Sequence, residues 1–400
     1  MLVRIPEHFE SQRRKRIAQD AVRSLRVDSA GVDLSSNDYL GIARKLASPE
    51  VIGRVLGDSF VGGVGGSHVG SDQLVQVGAT GSRLVSGTTQ HHEQLEEELA
   101  EFHQAESALL FGSGYEANLG LLSSLASRTD TIFYDELVHA SMRDGIRLSP
   151  ARAYSFRHND VEDLSEKLKI SRGECFIVIE SLYSMDGDQA PLIQIIELAE
   201  RVGAYVVVDE AHATGIYGPL GAGLVAELGL SKRVLARVHT FGKALGYRGA
   251  CVVGGAGLRD HLINSARSFI YTTAADLVTL RFTKEAYRIL KDSDQQRLQL
   301  QELIQGLRMY KSDYRDLRFL PSESPIQGVI VPGNSAALAT ERALQDAGFI
   351  VRAIRAPTVP IGTERIRICL HAFNSLDQVA EALAVIRSIV SKAPERVEGI

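Results

Sequence analysis

Lys243 sits in a run of small and apolar residues, His239-Thr240-Phe241-Gly242-Lys243-Ala244-Leu245-Gly246, just after an apolar stretch that reads as a strand. A lysine in that place is ordinarily a solvated cation. Here its neighbours leave it little company in water, and a desolvated amine has a lowered pKa and becomes a competent nucleophile and base. Schiff-base formation with an aldehyde needs such an amine. Two further loops also begin where apolar strands end. Asp209-Glu210-Ala211-His212-Ala213-Thr214-Gly215 puts a carboxylate at the strand end and an imidazole three residues on. Asp209 has two readings: a helix N-cap, or the partner of a pyridinium nitrogen, kept protonated so that the ring can accept electrons. The loop Glu180-Ser-Leu-Tyr-Ser-Met-Asp-Gly-Asp188 offers Ser184 and Asp186. Ligands of open α/β sheets bind at the carboxyl ends of the strands, so the three loops mark one site.

Earlier in the chain, Phe111-Gly-Ser-Gly-Tyr-Glu-Ala-Asn-Leu-Gly120 opens a helical pattern. A Gly-rich turn that starts a helix aims backbone N–H groups at an anion, and the dipole favours a phosphate there. His139, in Tyr134-Asp-Glu-Leu-Val-His-Ala-Ser141, is either a satisfied core histidine or an aromatic plate over a flat ring. The segment 61–70, Val-Gly-Gly-Val-Gly-Gly-Ser-His-Val-Gly, lacks the lysine of a nucleotide P-loop and reads as a flexible loop.

The elements that must position these residues follow a simple rhythm. Apolar strands over Cys175–Ile179, Ala204–Val208, Leu235–Val238 and Ala250–Val253 alternate with helices, one running from Pro191 to Val202 with proline at its start. Continuous apolar strands separated by helices predict a buried, mostly parallel sheet. A helical stripe of Leu95, Leu99 and Phe102 follows Thr88. After about residue 290 the character changes to a smaller α+β domain. Gly328–Val331 and Arg365–Leu370 are strands, the second with Ile366, Ile368 and Leu370 on one face and Arg365 and Arg367 on the other. The last helix runs from about Leu376, capped by Asn374 or Ser375, with Val379, Leu383 and Ile386 as its core stripe. The expected division is an N-terminal arm over 1–45, a large domain over 46–290 and a small domain over 291–400.

A chain of 400 residues with a formal net charge of −5 carries no electrostatic footprint for nucleic acid or an anionic membrane. The basic run Arg13-Arg14-Lys15-Arg16 reads as a solvated helix face. Cys175, Cys251 and Cys369 are far apart in apolar runs, with no disulfide or metal spacing, so no metal is expected. Buried free thiols and the lack of an apolar leader or span predict a cytoplasmic enzyme.

From about Asn37 to its end the chain resembles the α-oxoamine synthases, a family of fold-type I pyridoxal-phosphate (PLP) enzymes. The lysine segment and Asp209-Glu-Ala-His212 carry the broad resemblance. Leu34-Ser-Ser-Asn-Asp-Tyr-Leu-Gly41, Ala79-Thr-Gly-Ser-Arg-Leu-Val-Ser-Gly87, Ser184-Met-Asp-Gly-Asp188, Arg355-Ala-Pro-Thr-Val-Pro360 and Arg365-Ile-Arg367 carry a closer one, to members that use L-alanine and a pimeloyl thioester. The resemblance implies a large domain with a seven-stranded sheet, PLP as cofactor, and a homodimer with shared active sites. It makes Lys243 the Schiff-base lysine and base, Asp209 the ring-nitrogen partner, and His212 and Ser184 the groups that bind the ring hydroxyl. His139 stacks on the ring, Gly114 and Tyr115 form the phosphate turn, and Thr240 gives the phosphate a hydroxyl. Arg367 holds the amino-acid carboxylate, which suits a guanidinium fork. Arg26 and Asn37 are the remaining substrate residues.

Tyr271-Thr272-Thr273 resembles a segment that reaches the neighbouring subunit's phosphate, with either threonine as the contact. The prolines that follow it in the family are Ala274-Ala275-Asp276 here, the N-terminal hairpin is shorter, and the Gly-rich insert has no counterpart. The sequence leaves open whether coenzyme A or an acyl carrier protein carries the acyl group, and how long that group is. A synthase using glycine and acetyl-CoA and a catalytically dead subunit of a heteromeric synthase are the alternative readings.

Overall fold

The computed structural model describes residues 5–27, 30–57 and 78–391, and the Gly-rich segment 61–70 lies outside them. Strands are numbered in chain order: β1 Val32–Asp33, β2 Ser107–Phe111, β3 Thr131–Asp135, β4 Arg152–Phe156, β5 Cys175–Glu180, β6 Tyr205–Asp209, β7 Ala236–Thr240, β8 Ala250–Gly254, β9 Ile326–Ile330, β10 Phe349–Ile350, β11 Arg352–Ile354 and β12 Arg365–Cys369. The chain forms two compact units. The larger holds Asn37–Ser184 and Gln189–Arg297; the smaller holds the described residues up to Ser36, Met185–Asp188 and those from Leu298 onward. Thus the N-terminal arm divides at Ser36 instead of at residue 45, and a short piece of the loop after β5 groups with the C-terminal residues.

The larger unit is built on a seven-stranded sheet in the order β2-β8-β7-β6-β5-β3-β4. Strands β3 to β7 run parallel, and β8 is antiparallel to both β7 and β2. The apolar runs predicted this: every residue of β5 is buried, so no polar alternation is needed. Leu121, Met142 and Ile146 of the covering helices pack on Val178, Val207 and Val238 of the sheet. Chain order reverses between β3 and β5, and the carboxyl ends of β3, β5, β6 and β7 lie along one edge. This is the place where an open sheet leaves a crevice for a ligand. The helix expected from Pro191 covers Leu192–Val202; Pro191 is its cap, and Gly203 ends it with a φ of 72°.

In the smaller unit β11, β12 and β9 form an antiparallel sheet, and β1 pairs in parallel with β10. The Leu376–Val390 helix starts at a capping box between Ser375 and Gln378 and buries Val379, Leu383 and Ile386. The Glu7–Ala18 helix, which carries the basic run, buries none of its residues. Arg365 lies on the face of β12 opposite Ile366 and Ile368, as alternation places it, and that position is buried. It is 4% exposed, and its guanidinium pairs with Asp186 and donates to the Met185 carbonyl at 3.3 Å. A buried guanidinium needs such partners, and they come from the Met185–Asp188 segment of the same unit.

Candidate active site

The site is assembled at the carboxyl edge of the large sheet. Asp209 ends β6 and is 5% exposed. Its Oδ1 accepts the Ala211 N–H at 2.8 Å, a local turn, while Oδ2 accepts Asn118 Nδ2–H at 2.7 Å. One oxygen therefore shapes the chain, and the other is held by a helix across the sheet face. Asn118 lies four residues after Gly114 on the Gly114–Ser124 helix, so the helix that offers its N-terminus to an anion also braces the carboxylate.

The same amide donates its second proton to Ser141 Oγ at 3.1 Å. Ser141 then turns its own hydroxyl proton to His139 Nδ1, 2.8 Å away, and the Ser141 backbone N–H donates to that nitrogen at 3.2 Å. With Nδ1 accepting, His139 is the neutral tautomer that carries its proton on Nε2. Burial lowers its pKa, Asp209 pulls it up, and the Lys243 charge pushes it down again. His139 caps the Ala140–Leu148 helix, and its backbone N–H donates to Glu180 Oε1 at 2.7 Å.

Lys243 is half-buried in the turn after β7. The Gly246 N–H closes that turn on the Lys243 carbonyl at 2.8 Å. Gly246 has φ +64°, and a Cβ there would lie 2.3 Å from the Ala43 nitrogen, so the turn admits glycine alone. Gly215, with φ +89°, lets the His212 loop approach: a Cβ on it would meet Ala244 Cβ at 2.6 Å. His212 is 3% exposed, and its Nδ1 lies 2.9 Å from Tyr39 OH. Tyr39 OH also lies 3.1 Å from Asn37 Oδ1, so the hydroxyl ties the His212 ring to the Asn37–Tyr39 segment.

At the start of the Gly114–Ser124 helix, Ser113 Oγ accepts the Glu116 N–H at 3.2 Å. A Cβ on Gly114 would come 3.2 Å from Thr240 Cβ and Oγ1, so glycine there lets the helix start meet the end of β7. The first-turn N–H groups of Gly114 and Tyr115 and the Thr240 hydroxyl thus lie together. Tyr115 contributes backbone; its ring is 45% exposed, with its hydroxyl on Asp144. Ser184 is half-buried after β5.

Thr272 is half-buried and Thr273 exposed, ahead of the Leu277–Lys291 helix. That helix is capped by Asp276, whose Oδ1 accepts the Thr279 N–H at 2.8 Å, so neither threonine serves as its N-cap. In the smaller unit Arg367 is half-buried, opposite Gly328 and Arg352 in the sheet. Arg26 pairs with Glu341 at 3.0 Å.

This donor set fits PLP: a buried, braced carboxylate for a ring nitrogen, the buried His212 imidazole for a ring hydroxyl, a helix start with a threonine for a phosphate, and an amine in a close turn. Asn118, Ser141, Tyr39 and Glu180 belong to the site although sequence reasoning gave them no role. Asn118 and Glu180 lay inside segments singled out for their neighbours, and a polar side chain amid an apolar helix face or strand was the signal that could have found them. Among the described residues no group of three or more His, Cys, Asp or Glu could hold a metal ion.

Comparison with known proteins bears on this geometry. Residues 29–386 match the family described as aminotransferase class I and II. The 8-amino-7-oxononanoate synthase of Alkalilimnicola ehrlichii is 40% identical over 359 residues, 89% of this chain and 88% of that protein. The serine palmitoyltransferase of S. paucimobilis, solved with a PLP–myriocin adduct, superposes with a TM-score of 0.82 at 27% identity, covering 96% of both chains. The 8-amino-7-oxononanoate synthase of Francisella tularensis superposes with a TM-score of 0.74 at 29% identity, covering 91% of this chain and 99% of the other.

Proposed function

This chain belongs to the class I and II aminotransferase family, in its α-oxoamine synthase branch, and from that premise we propose that it makes 8-amino-7-oxononanoate from L-alanine and a pimeloyl thioester, a step of biotin biosynthesis. Carbon dioxide and the free thiol carrier are the other products. The observation that carries the chemistry is the chain Asp209–Asn118–Ser141–His139, which fixes a carboxylate and a neutral imidazole at the sheet edge where β7 delivers Lys243. Identity of 40% with synthases of this one name supports the choice of member.

When bound, PLP supplies an electron sink for the negative charge that develops at the amino-acid Cα. Lys243 would anchor the cofactor and, as a free amine, would take the Cα proton. Asp209 keeps a proton on the ring nitrogen, and Asn118 and the Ala211 N–H hold that carboxylate still. His212 and Ser184 orient the ring through its hydroxyl. His139 would stack on the ring, and its Nε2–H could also meet the oxyanion that forms at the thioester carbonyl. Gly114, Tyr115 and Thr240 hold the phosphate. Arg367 holds the alanine carboxylate, Arg26 serves the acyl substrate, and Asn37 is a further substrate residue.

A thiol-release assay across amino acids and acyl thioesters tests the reading. Alanine with a pimeloyl thioester, on coenzyme A or acyl carrier protein, should release thiol, and alanine alone should shift the cofactor absorbance. Release with glycine and acetyl-CoA only would move the chain elsewhere in the family. Release with no pair at all would make it a non-catalytic subunit.

The working unit in this reading is a cytoplasmic homodimer. Three buried free thiols suit a reducing compartment. Thr272 and Thr273, not needed to cap the helix that follows, are left for the neighbour's phosphate. Mixing Lys243→Ala subunits with subunits carrying valine for both threonines should then raise activity above either parent, because one hybrid site is intact and the other takes both defects. No rise, with hybrids confirmed, would return the threonines to their own subunit.

A further inference from the structure

Glu180 has no part in the chemistry above, yet it occupies the centre of the site. It closes β5, its Cα pairs with that of Asp209 across the parallel ladder, and it is 3% exposed. Its Oε1 accepts the backbone N–H of His139 at 2.7 Å. Two buried carboxyls at paired strand ends cannot both carry charge cheaply. Asp209 receives an N–H donor on each oxygen, including the Asn118 amide. Glu180 receives one backbone N–H, a bond that the carbonyl oxygen of a neutral carboxylic acid can also accept.

We propose that Glu180 is a positioning residue that works as a neutral carboxylic acid. It fixes the backbone of His139, and with it the imidazole, and leaves the negative charge of the pair on Asp209. This rests on the roles given above to Asp209 and His139. Burial and then the Asp209 charge push the Glu180 carboxyl up to about 8, against the pull of Lys243 and of the His139 N–H. Asp135, at the end of β3, adds a further upward push. Its own carboxylate is held by His158 Nδ1 at 2.9 Å and the Asn159 N–H at 2.8 Å. Tyr183, three residues past the end of β5, is buried with its phenol pushed well up, so it adds no charge. The groups acting on Glu180 are thus Asp209, Asp135, Lys243, the His139 N–H and Tyr183, with His158 on the far side of Asp135.

The test compares Glu180→Gln with Glu180→Ala in the holoenzyme. Gln keeps an uncharged carbonyl for the His139 N–H, so kcat near pH 7 should stay within a few-fold of the parent. Ala removes the acceptor, and kcat should fall on the order of 10²-fold through misplacement of His139, with the KM for alanine little changed. The peptide carrying the His139 amide should exchange hydrogen faster in the Ala variant only. Wild-type activity should decline as pH rises through about 8, where Glu180 ionises beside Asp209, and the Gln variant should lack that limb. Infrared difference spectra should show a protonated-carboxyl band at neutral pH that vanishes at high pH and is absent from Glu180→Gln. A missing band, or a Gln variant as damaged as the Ala variant, overturns the proposal. The infrared and exchange readouts need no turnover, so they stand even if the substrate assignment fails. They also decide the matter from Glu180→Gln if the Ala variant does not fold.

Discussion

Lys243→Ala should abolish turnover and, with it, the borohydride-reducible link between protein and cofactor. Two functions go at once, the covalent anchor and the base that takes the Cα proton. Loss of a positioned base alone costs about 10²- to 10⁴-fold. Lys243→Arg should fare no better, although it keeps the charge, because a guanidinium does not shed its proton to become a nucleophile. The turn should tolerate both changes. It is closed by backbone bonds, Gly246 N–H to Lys243 O at 2.8 Å and Tyr247 N–H to Phe241 O at 2.8 Å, and its tightness depends on Gly246. Reduction of the holoenzyme with borohydride, digestion and peptide mapping should find the label on the peptide that carries Lys243. A label on another lysine, or one that survives in Lys243→Ala, would remove the residue from the role that organises every other assignment.

What could be read in the sequence was what is local. A strand that is buried on both faces announces itself as an unbroken apolar run, and so β5, β6, β7 and β8 fall within two residues of expectation. The loops that follow them carry their chemistry beside the strand end, so Lys243, Asp209 and His212 were visible from their neighbours. The shifts that remain at strand ends come from register: Thr240 and Asp209 are polar, yet they continue the ladders, paired with Ala250 and Val238.

What could not be read depends on contacts between distant positions. Asn118 meets Asp209 across 91 residues, and Tyr39 meets His212 across 173. No period or spacing links such pairs, because they are made by the crossover order of the sheet. Alternation separates Arg365 from Ile366 and Ile368 on β12 but is silent on what covers the arginine face; the partner, Asp186, arrives from 179 residues away. Glu180 was missed for a related reason: a carboxyl at a strand end reads as the edge of the loop until Asp209 is seen beside it.

Asp209→Asn should leave cofactor and alanine bound while slowing Cα deprotonation by about 10²- to 10³-fold, the cost typical of removing one preorganised electrostatic contact. The shape of the side chain is kept, and its one carbonyl oxygen can still accept from Asn118, at the cost of the bond from the Ala211 N–H. The charge that holds the ring-nitrogen proton is gone, so the ring can no longer draw electrons from Cα. Exchange of the alanine α-proton into deuterated solvent, followed with the thioester omitted, isolates that step, and near-normal exchange would end the assignment. The same variant reaches Glu180. The Asp209 charge is one of the causes that hold the Glu180 proton in place, second to burial. Removing it should lower the pH at which Glu180 ionises, and the protonated-carboxyl infrared band should vanish at a lower pH than in the parent. A band that keeps its titration would mean that the two carboxyls, though paired in the ladder, do not share their charge.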